Sequence, residues 1–117
     1  WLKVCLDLPI FENLDKEYVA NAVRTIGGLQ VHSHYGGEYF RDRDGIVKPL
    51  VLEYYANRQI PDYSHYIALM NEIGYEGYFT FELCHQVLKE DHSIAGIDYV
   101  HEQVSLAREF MAKIIGR

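Results

Sequence analysis

Short apolar runs alternate with segments of helical periodicity along this chain. The runs cover residues 1–7, 29–34 and 78–83, and each has the length and composition of a buried strand. A helical segment follows each run, so the order is strand, helix, repeated three times. This order predicts an α/β fold in which parallel strands are joined by right-handed crossovers.

The three helices are delimited by local signals. Asn13 is the predicted N-cap of the first helix and Gly27-Gly28 its end, while Asp62 is the predicted N-cap of the second helix and Gly74 its end. Apolar residues at spacings of three and four predict the faces that pack on the sheet. These residues are Leu14, Tyr18, Ala22, Val23 and Ile26 in the first helix, Tyr63, Tyr66, Ile67, Met70 and Ile73 in the second, and Ile97, Val100, Val104, Ala107, Met111 and Ile114 in the third.

A long polar and aromatic segment, 35–60, separates the second strand from the second helix. Its Asp44-Gly45 step predicts a turn. A connection of this length is typical of a lid or a binding loop. Its residues Tyr54, Tyr55 and Arg58 fit surface packing or contacts with a neighbouring chain equally well, and the sequence leaves this open.

The predicted strands end in side chains that bind metals. Asp7, His34 and Glu82 lie at or near the carboxyl ends of the three strands, where parallel sheets carry their functional groups. His32 and His34 point to the same side of an extended chain because side chains alternate faces. We therefore expect Asp7, His34 and Glu82 to hold one divalent metal ion. The alternative for the histidines alone is a pair of hydrogen-bonded core or rim residues.

One imidazole with two carboxylates suits Mn²⁺, Mg²⁺, Co²⁺ or Zn²⁺. Such a metal binds the oxygens of an α-hydroxy carbonyl compound and stabilises the charge that develops when a carbon-bound proton is removed. Glu82 is the candidate base for this proton transfer. Alternatively, Glu82 is a strand-end carboxylate paired with an arginine, and Asp7 is a turn residue before Pro9.

Composition narrows the class of protein. A chain of 117 residues with a formal charge of -6 predicts one compact domain that does not bind nucleic acid. No run approaches the ~20 apolar residues that cross a bilayer, so we expect no membrane partner. Cys5 and Cys84 are predicted to be buried, reduced thiols of a cytoplasmic protein.

Three stretches carry a resemblance to a known family. They are Val4-Cys5-Leu6-Asp7, His32-Ser33-His34 with Gly36-Gly37-Glu38, and Gly74-Tyr75-Glu76-Gly77 leading to Phe81-Glu82. Together they resemble the last three βα units of the sugar phosphate isomerase/epimerase family, which has a xylose-isomerase-like TIM barrel. The resemblance implies that residues 1–117 are one partial domain, the C-terminal part of a (β/α)8 barrel.

The resemblance also implies roles for individual residues. It makes Asp7, His34 and Glu82 ligands of a divalent metal, with Mn²⁺ expected, and Glu82 the catalytic residue. It assigns substrate binding to His32, Glu38 and Arg41. The substrate would be a sugar or a related polyol ketone, isomerised by proton transfer next to the metal-bound carbonyl.

The sequence departs from the family at two points. Ile10 stands where many members carry a substrate-contacting histidine, and the glutamate that opens the family's ligand set would lie upstream of Trp1. Three βα units would leave two sheet edges and one sheet face open. We therefore expect the chain to form homo-oligomers or to belong to a longer polypeptide.

Two other functions fit parts of the same pattern. One is a non-catalytic barrel fragment or assembly piece that retains part of the metal site. The other is a metal-dependent phosphodiesterase of the apurinic endonuclease type. The acidic charge argues against the second, as does the lack of another Asp-x-His pair near His34.

Overall fold

A computed structural model describes residues 2–6, 15–50, 62–82 and 93–116. Within these ranges the chain forms five strands and three α-helices. In chain order they are β1 (Val4–Cys5), α1 (Lys16–Ile26), β2 (Gln30–Tyr35), β3 (Glu38–Arg41), β4 (Val47–Leu50), α2 (Tyr63–Glu72), β5 (Tyr78–Phe81) and α3 (Ile97–Ile115). The chain divides into two compact units, Trp1–Tyr35 with Asn57–Thr80 and Gly36–Ala56 with Phe81–Arg117.

Aspartate side chains cap the first two helices. The Asp15 carboxylate accepts a hydrogen bond of 2.8 Å from the Tyr18 amide, and the Asp62 carboxylate accepts one of 3.0 Å from the His65 amide. Each carboxylate satisfies one of the amides that a helix start leaves without an intrahelical partner. The prediction for Asp62 is confirmed. The predicted cap Asn13 lies outside the described residues, and the cap of α1 is Asp15.

The first unit contains a three-stranded parallel sheet in the order β1-β2-β5. Ser33 and Tyr35 of β2 are buried and contact α2. The Ser33 hydroxyl lies 2.7 Å from the Tyr66 hydroxyl, and the Tyr35 ring meets the Tyr63 ring edge to face. A slip of one residue would break the Ser33–Tyr66 contact and turn Tyr35 away from Tyr63, so these two contacts favour the observed register.

A glycine brings the start of β5 close to β2. A Cβ atom at Gly77 would overlap the Val31 carbonyl oxygen and the Tyr75 ring, so only glycine fits there. The Tyr75 hydroxyl donates a hydrogen bond of 2.9 Å to the Tyr78 carbonyl, and burial raises the pKa of Tyr75 to about 12. The Gly74-Tyr75-Glu76-Gly77 stretch therefore has a structural role in joining α2 to the sheet.

The second unit is built from an antiparallel hairpin and a helix. Strands β3 and β4 pair in the register Glu38 with Leu50 to Arg41 with Val47. The predicted turn is confirmed, because Gly45 has φ +78° and its amide donates to the Asp42 carbonyl over 3.0 Å. Helix α3 packs against both strands of this hairpin.

The interpretation of the chain as the C-terminal part of a TIM barrel is wrong. The fold is mixed α/β, with three parallel strands in one sheet and a separate antiparallel pair. In a barrel unit the helix that follows a strand packs on the parallel sheet, whereas α3 packs on the hairpin. The reason is local: residues after β2 form a tight turn at 42–45, and the flanking strands pair with each other instead of forming an open loop.

Three smaller predictions also need correction. The segment 35–60 contains strands β3 and β4 up to Leu50, and its remaining residues lie outside the described part. Cys5 is exposed rather than buried. The buried faces of two helices differ in part from the predicted ones. Tyr18, Ile97 and Val104 are exposed, whereas Val23, Ala107 and Met111 are buried as predicted. The further buried positions are Val19 and Ala20 in α1 and Gln103 and Leu106 in α3.

No helix in the described part of the chain is long and apolar enough to cross a membrane.

Candidate functional site: an imidazole and thiol face on the parallel sheet

Strand β2 carries two histidines on one face of the parallel sheet. His32 and His34 are both half-buried, and their ring centroids lie 4.7 Å apart in an edge-to-face arrangement. The prediction that the two side chains share a face is confirmed. Their placement follows from the alternation of a strand, because the intervening Ser33 points to the buried side, where it contacts Tyr66.

Neighbouring strands add a thiol and a hydroxyl to this face. His34 Nδ1 lies 3.8 Å from Cys5 Sγ of β1, and His32 Nε2 lies 3.0 Å from Thr80 Oγ1 of β5. Cys5 is the register partner of His32 in the parallel pairing. We call Cys5, His32, His34 and Thr80 the imidazole face, and all four belong to the first unit.

The imidazole face has the chemistry of metal binding and hydrogen bonding. Imidazole nitrogens and a thiolate are ligands for Zn²⁺, Co²⁺ and related ions, and an imidazole also donates or accepts hydrogen bonds. The hydrogen bond to Thr80 holds the orientation of the His32 ring. The His34 imidazole nitrogen is therefore a suitable type of ligand for a divalent metal ion. Among the described residues, no group of three or more His, Cys, Asp or Glu side chains has the geometry to hold one.

The predicted metal ligands are described only in part. Asp7 lies outside the described residues. His34 belongs to the first unit, whereas Glu82 is exposed at the end of β5 and belongs to the second unit. The convergence of Asp7, His34 and Glu82 on one metal stays a prediction.

Two predicted substrate contacts, Glu38 and Arg41, lie in β3. Burial raises the pKa of the Glu38 carboxyl above its ordinary value. The Arg41 guanidinium makes two parallel hydrogen bonds to the Glu109 carboxylate, of 2.8 and 2.6 Å, and a third of 2.8 Å to the Gly45 carbonyl. Arg41 therefore binds the hairpin to α3, and its role toward a substrate stays a prediction.

Sequence reasoning missed two members of the imidazole face as functional residues, Cys5 and Thr80. Composition alone predicts a buried Cys5, because free cysteines are usually buried. A signal was present in the strand period: Cys5 stands two residues before Asp7, so an extended chain would direct both side chains to one face. The deciding fact is the pairing of β1 with β2, which brings the thiol to His34.

Comparison with known proteins gives no further assignment. No protein-family model, curated protein or solved structure matches this chain. The interpretation of the imidazole face therefore depends on its own geometry and chemistry.

Proposed function

We propose that this chain contributes to a metal-dependent isomerase or epimerase that acts on a sugar or a related α-hydroxy ketone. The observation that carries the proposal is the pair of imidazoles on one accessible face of β2, beside a thiol and a hydroxyl. The resemblance of the sequence to the sugar phosphate isomerase/epimerase family in the stretches around Asp7, His34 and Glu82 supports the same reaction class.

Each residue has a defined part in this proposal. His34, Asp7 and Glu82 would hold the metal, which supplies charge stabilisation at the substrate carbonyl oxygen. Glu82 takes a proton from the carbon next to the carbonyl and returns one to the substrate. His32, whose ring is held by Thr80, donates a hydrogen bond to a substrate hydroxyl.

The proposal extends to the setting of the enzyme. We place it in the cytoplasm, where an exposed thiol such as Cys5 stays reduced. Its partners are the small polyol ketone and further copies of the chain. Neither nucleic acid nor a membrane belongs to the proposal, since the charge of -6 repels phosphate backbones.

A proton-exchange assay tests this function. The chain is incubated in D₂O with a panel of ketoses and phosphorylated ketoses, with and without Mn²⁺ or Zn²⁺, and deuterium incorporation is followed by NMR. We expect metal-dependent exchange next to the carbonyl, which His34→Ala and Glu82→Gln abolish. The matched control is His101→Ala, which removes an exposed histidine of α3. Exchange that survives both site substitutions would refute the assigned roles.

A second candidate is a metal-binding module without catalytic activity. It is favoured by the 3.8 Å separation of Cys5 Sγ and His34 Nδ1, which places two metal-binding donors side by side without requiring a catalytic base. The same experiment separates the two functions when metal binding is measured in parallel. Metal binding that depends on His34, without proton exchange on any ketose, would support the binding module.

A further inference from the structure

The Cys5 thiol next to His34 has no place in a ligand set of one imidazole and two carboxylates. We propose that Cys5 and His34 bind the same divalent cation, and that this cation is thiophilic, Zn²⁺ rather than Mn²⁺ or Mg²⁺. The inference rests on the proposed function in one respect only, which is that His34 is a metal ligand.

The separation of the two donor atoms fits a shared ion. Zinc binds sulfur at about 2.3 Å and imidazole nitrogen at about 2.0–2.1 Å, so tetrahedral geometry separates the two donors by about 3.6 Å. Cys5 Sγ and His34 Nδ1 lie 3.8 Å apart. This distance corresponds to an S–Zn–N angle of about 120°, which a zinc site accepts. One ion can therefore contact both donors while the strands keep their positions.

The backbone pairing supports the same arrangement. Strands β1 and β2 are hydrogen-bonded neighbours, and the register places Cys5 opposite His32, two residues from His34. Both donors thus project from adjacent strands of one sheet, and strands hold metal ligands more firmly than loops do. Cys5 is exposed and His34 is half-buried, so an ion reaches the pair from solvent.

The chemistry of the donors decides the metal. A thiolate is a soft ligand that selects Zn²⁺ and Co²⁺, whereas Mn²⁺ and Mg²⁺ prefer carboxylate, carbonyl and water oxygens. Coordination also deprotonates the thiol, which adds a charge attraction that a neutral hydroxyl or thiol lacks. Cys5 therefore shifts the preference of the site away from the Mn²⁺ that the family resemblance implies. Water or substrate would complete the coordination of an ion held by Cys5 and His34.

Cobalt spectroscopy tests the thiol directly, without any substrate. The reduced chain is titrated with Co²⁺ while the near-ultraviolet thiolate-to-cobalt charge-transfer absorption is recorded. We expect this absorption in the unchanged chain, its loss in Cys5→Ser, and its retention in Cys84→Ser, the matched control at the other cysteine of the sequence. Far-ultraviolet circular dichroism checks that each variant keeps its secondary structure.

The possible results of the titration separate this inference from the proposed function. Cobalt d–d absorption without the charge-transfer band would overturn the role of Cys5 and leave a metal site at His34 intact. A charge-transfer band that disappears in Cys84→Ser instead of Cys5→Ser would also overturn it. No cobalt absorption at all would overturn both the thiol site and the metal on which the proposed function depends.

A competition measurement tests metal preference. We expect Cys5→Ser to weaken Zn²⁺ binding by about tenfold or more, because even ligand-supporting residues contribute about 10–100-fold. Mn²⁺ affinity should change by less than about twofold, since Mn²⁺ gains little from a thiolate. Zn²⁺ should also slow alkylation of Cys5 by iodoacetamide, as measured by peptide mass spectrometry, and Mg²⁺ should not. Equal losses of Zn²⁺ and Mn²⁺ affinity, or alkylation unaffected by Zn²⁺, would contradict the proposal.

Discussion

Replacing Gln103 with leucine should destabilise the second unit by removing a side chain that substitutes for a neighbouring strand. Gln103 is 3% exposed, and its amide pairs with the backbone of Tyr39 in β3. The Tyr39 amide donates to Gln103 Oε1 over 2.8 Å, and Gln103 Nε2 donates to the Tyr39 carbonyl over 3.0 Å. Both main-chain groups of Tyr39 therefore point away from β4.

This orientation also explains a proline inside β4. Pro49 is the register partner of Tyr39 in the antiparallel pairing. Because Tyr39 directs its amide and carbonyl to Gln103, the pair is a non-hydrogen-bonded one, and the missing amide of Pro49 leaves no acceptor unsatisfied. Gln103 thus supplies the hydrogen bonds that a further strand would make to this edge.

The expected loss of stability in Gln103→Leu follows from the two backbone groups of Tyr39 that would lose their hydrogen bonds. Leaving a buried donor or acceptor unsatisfied costs about 1–3 kcal/mol, so the Tyr39 amide and carbonyl together cost about 2–6 kcal/mol. Burial of the leucine side chain offsets about 1.5–3 kcal/mol. The midpoints of the two ranges leave a net loss of about 2 kcal/mol in the free energy of unfolding, measured by urea denaturation followed by circular dichroism.

Gln30 in the first unit provides a matched control. It is also buried, at 4% exposure, but its Oε1 has no hydrogen-bond partner among the described residues, and its Nε2 donates to the Tyr66 hydroxyl over 3.1 Å. Gln30→Leu removes an unsatisfied acceptor, and the Tyr66 hydroxyl keeps its contact with Ser33, so the cost should stay below about 1 kcal/mol. Hydrogen exchange by NMR should show faster exchange of the Tyr39 amide in Gln103→Leu alone. A Gln103→Leu variant as stable as Gln30→Leu would refute the assigned role.

Three further substitutions test other contacts. Gly77→Ala should destabilise the chain strongly in thermal unfolding, because the new Cβ would overlap the Val31 carbonyl oxygen. Gly28→Ala is the control, since a Cβ at that position would meet open space. Equal stability of the two variants would contradict the close approach of Gly77 to Val31. Glu38→Gln should stabilise the chain at pH 7, because burial raises the folded-state pKa of Glu38 and disfavours its ionised form. The gain in the free energy of unfolding should vanish below the unfolded-state pKa of about 4.3. A gain that does not depend on pH would contradict burial as the cause. Asp62→Asn keeps the helix cap but removes the carboxylate charge. The hydrogen bond to Lys16 is the chief cause of the lowered pKa of Asp62. The modest destabilisation of this variant should therefore be present in urea denaturation above pH ~4 and disappear as the pH falls below the folded pKa; a constant difference at low pH would argue against the ion pair.

Helix ends and turns were predictable because their signals act over a few residues. Asp62 caps α2 through the amide three residues ahead, and Gly45 closes its turn through a backbone conformation that glycine adopts freely. The same local reasoning confirmed that His32 and His34 share a face. These features need no information about the rest of the chain.

The buried faces of α1 and α3 were less predictable. The spacing of apolar residues predicts that Tyr18 and Val104 are buried, but both are exposed. It does not predict the burial of Gln103, which is buried. Periodicity identifies an apolar stripe, but the partner surface decides which edge of the stripe is covered. Gln103 is buried because a strand backbone needs its amide, and no count of hydrophobic residues contains that information.

Local sequence was enough to predict the cap of α2, the turn at Gly45 and the common face of the two histidines, because these depend on spacing within one element or turn. Tertiary structure alone decided that 38–50 pairs as a hairpin under α3 and that Cys5 lies beside His34. Both depend on pairing between residues distant along the chain, such as Cys5 and His34 at a separation of 29 residues. Such pairing depends on which strands and helices pack together most favourably in the whole fold, and a local sequence pattern does not contain that information.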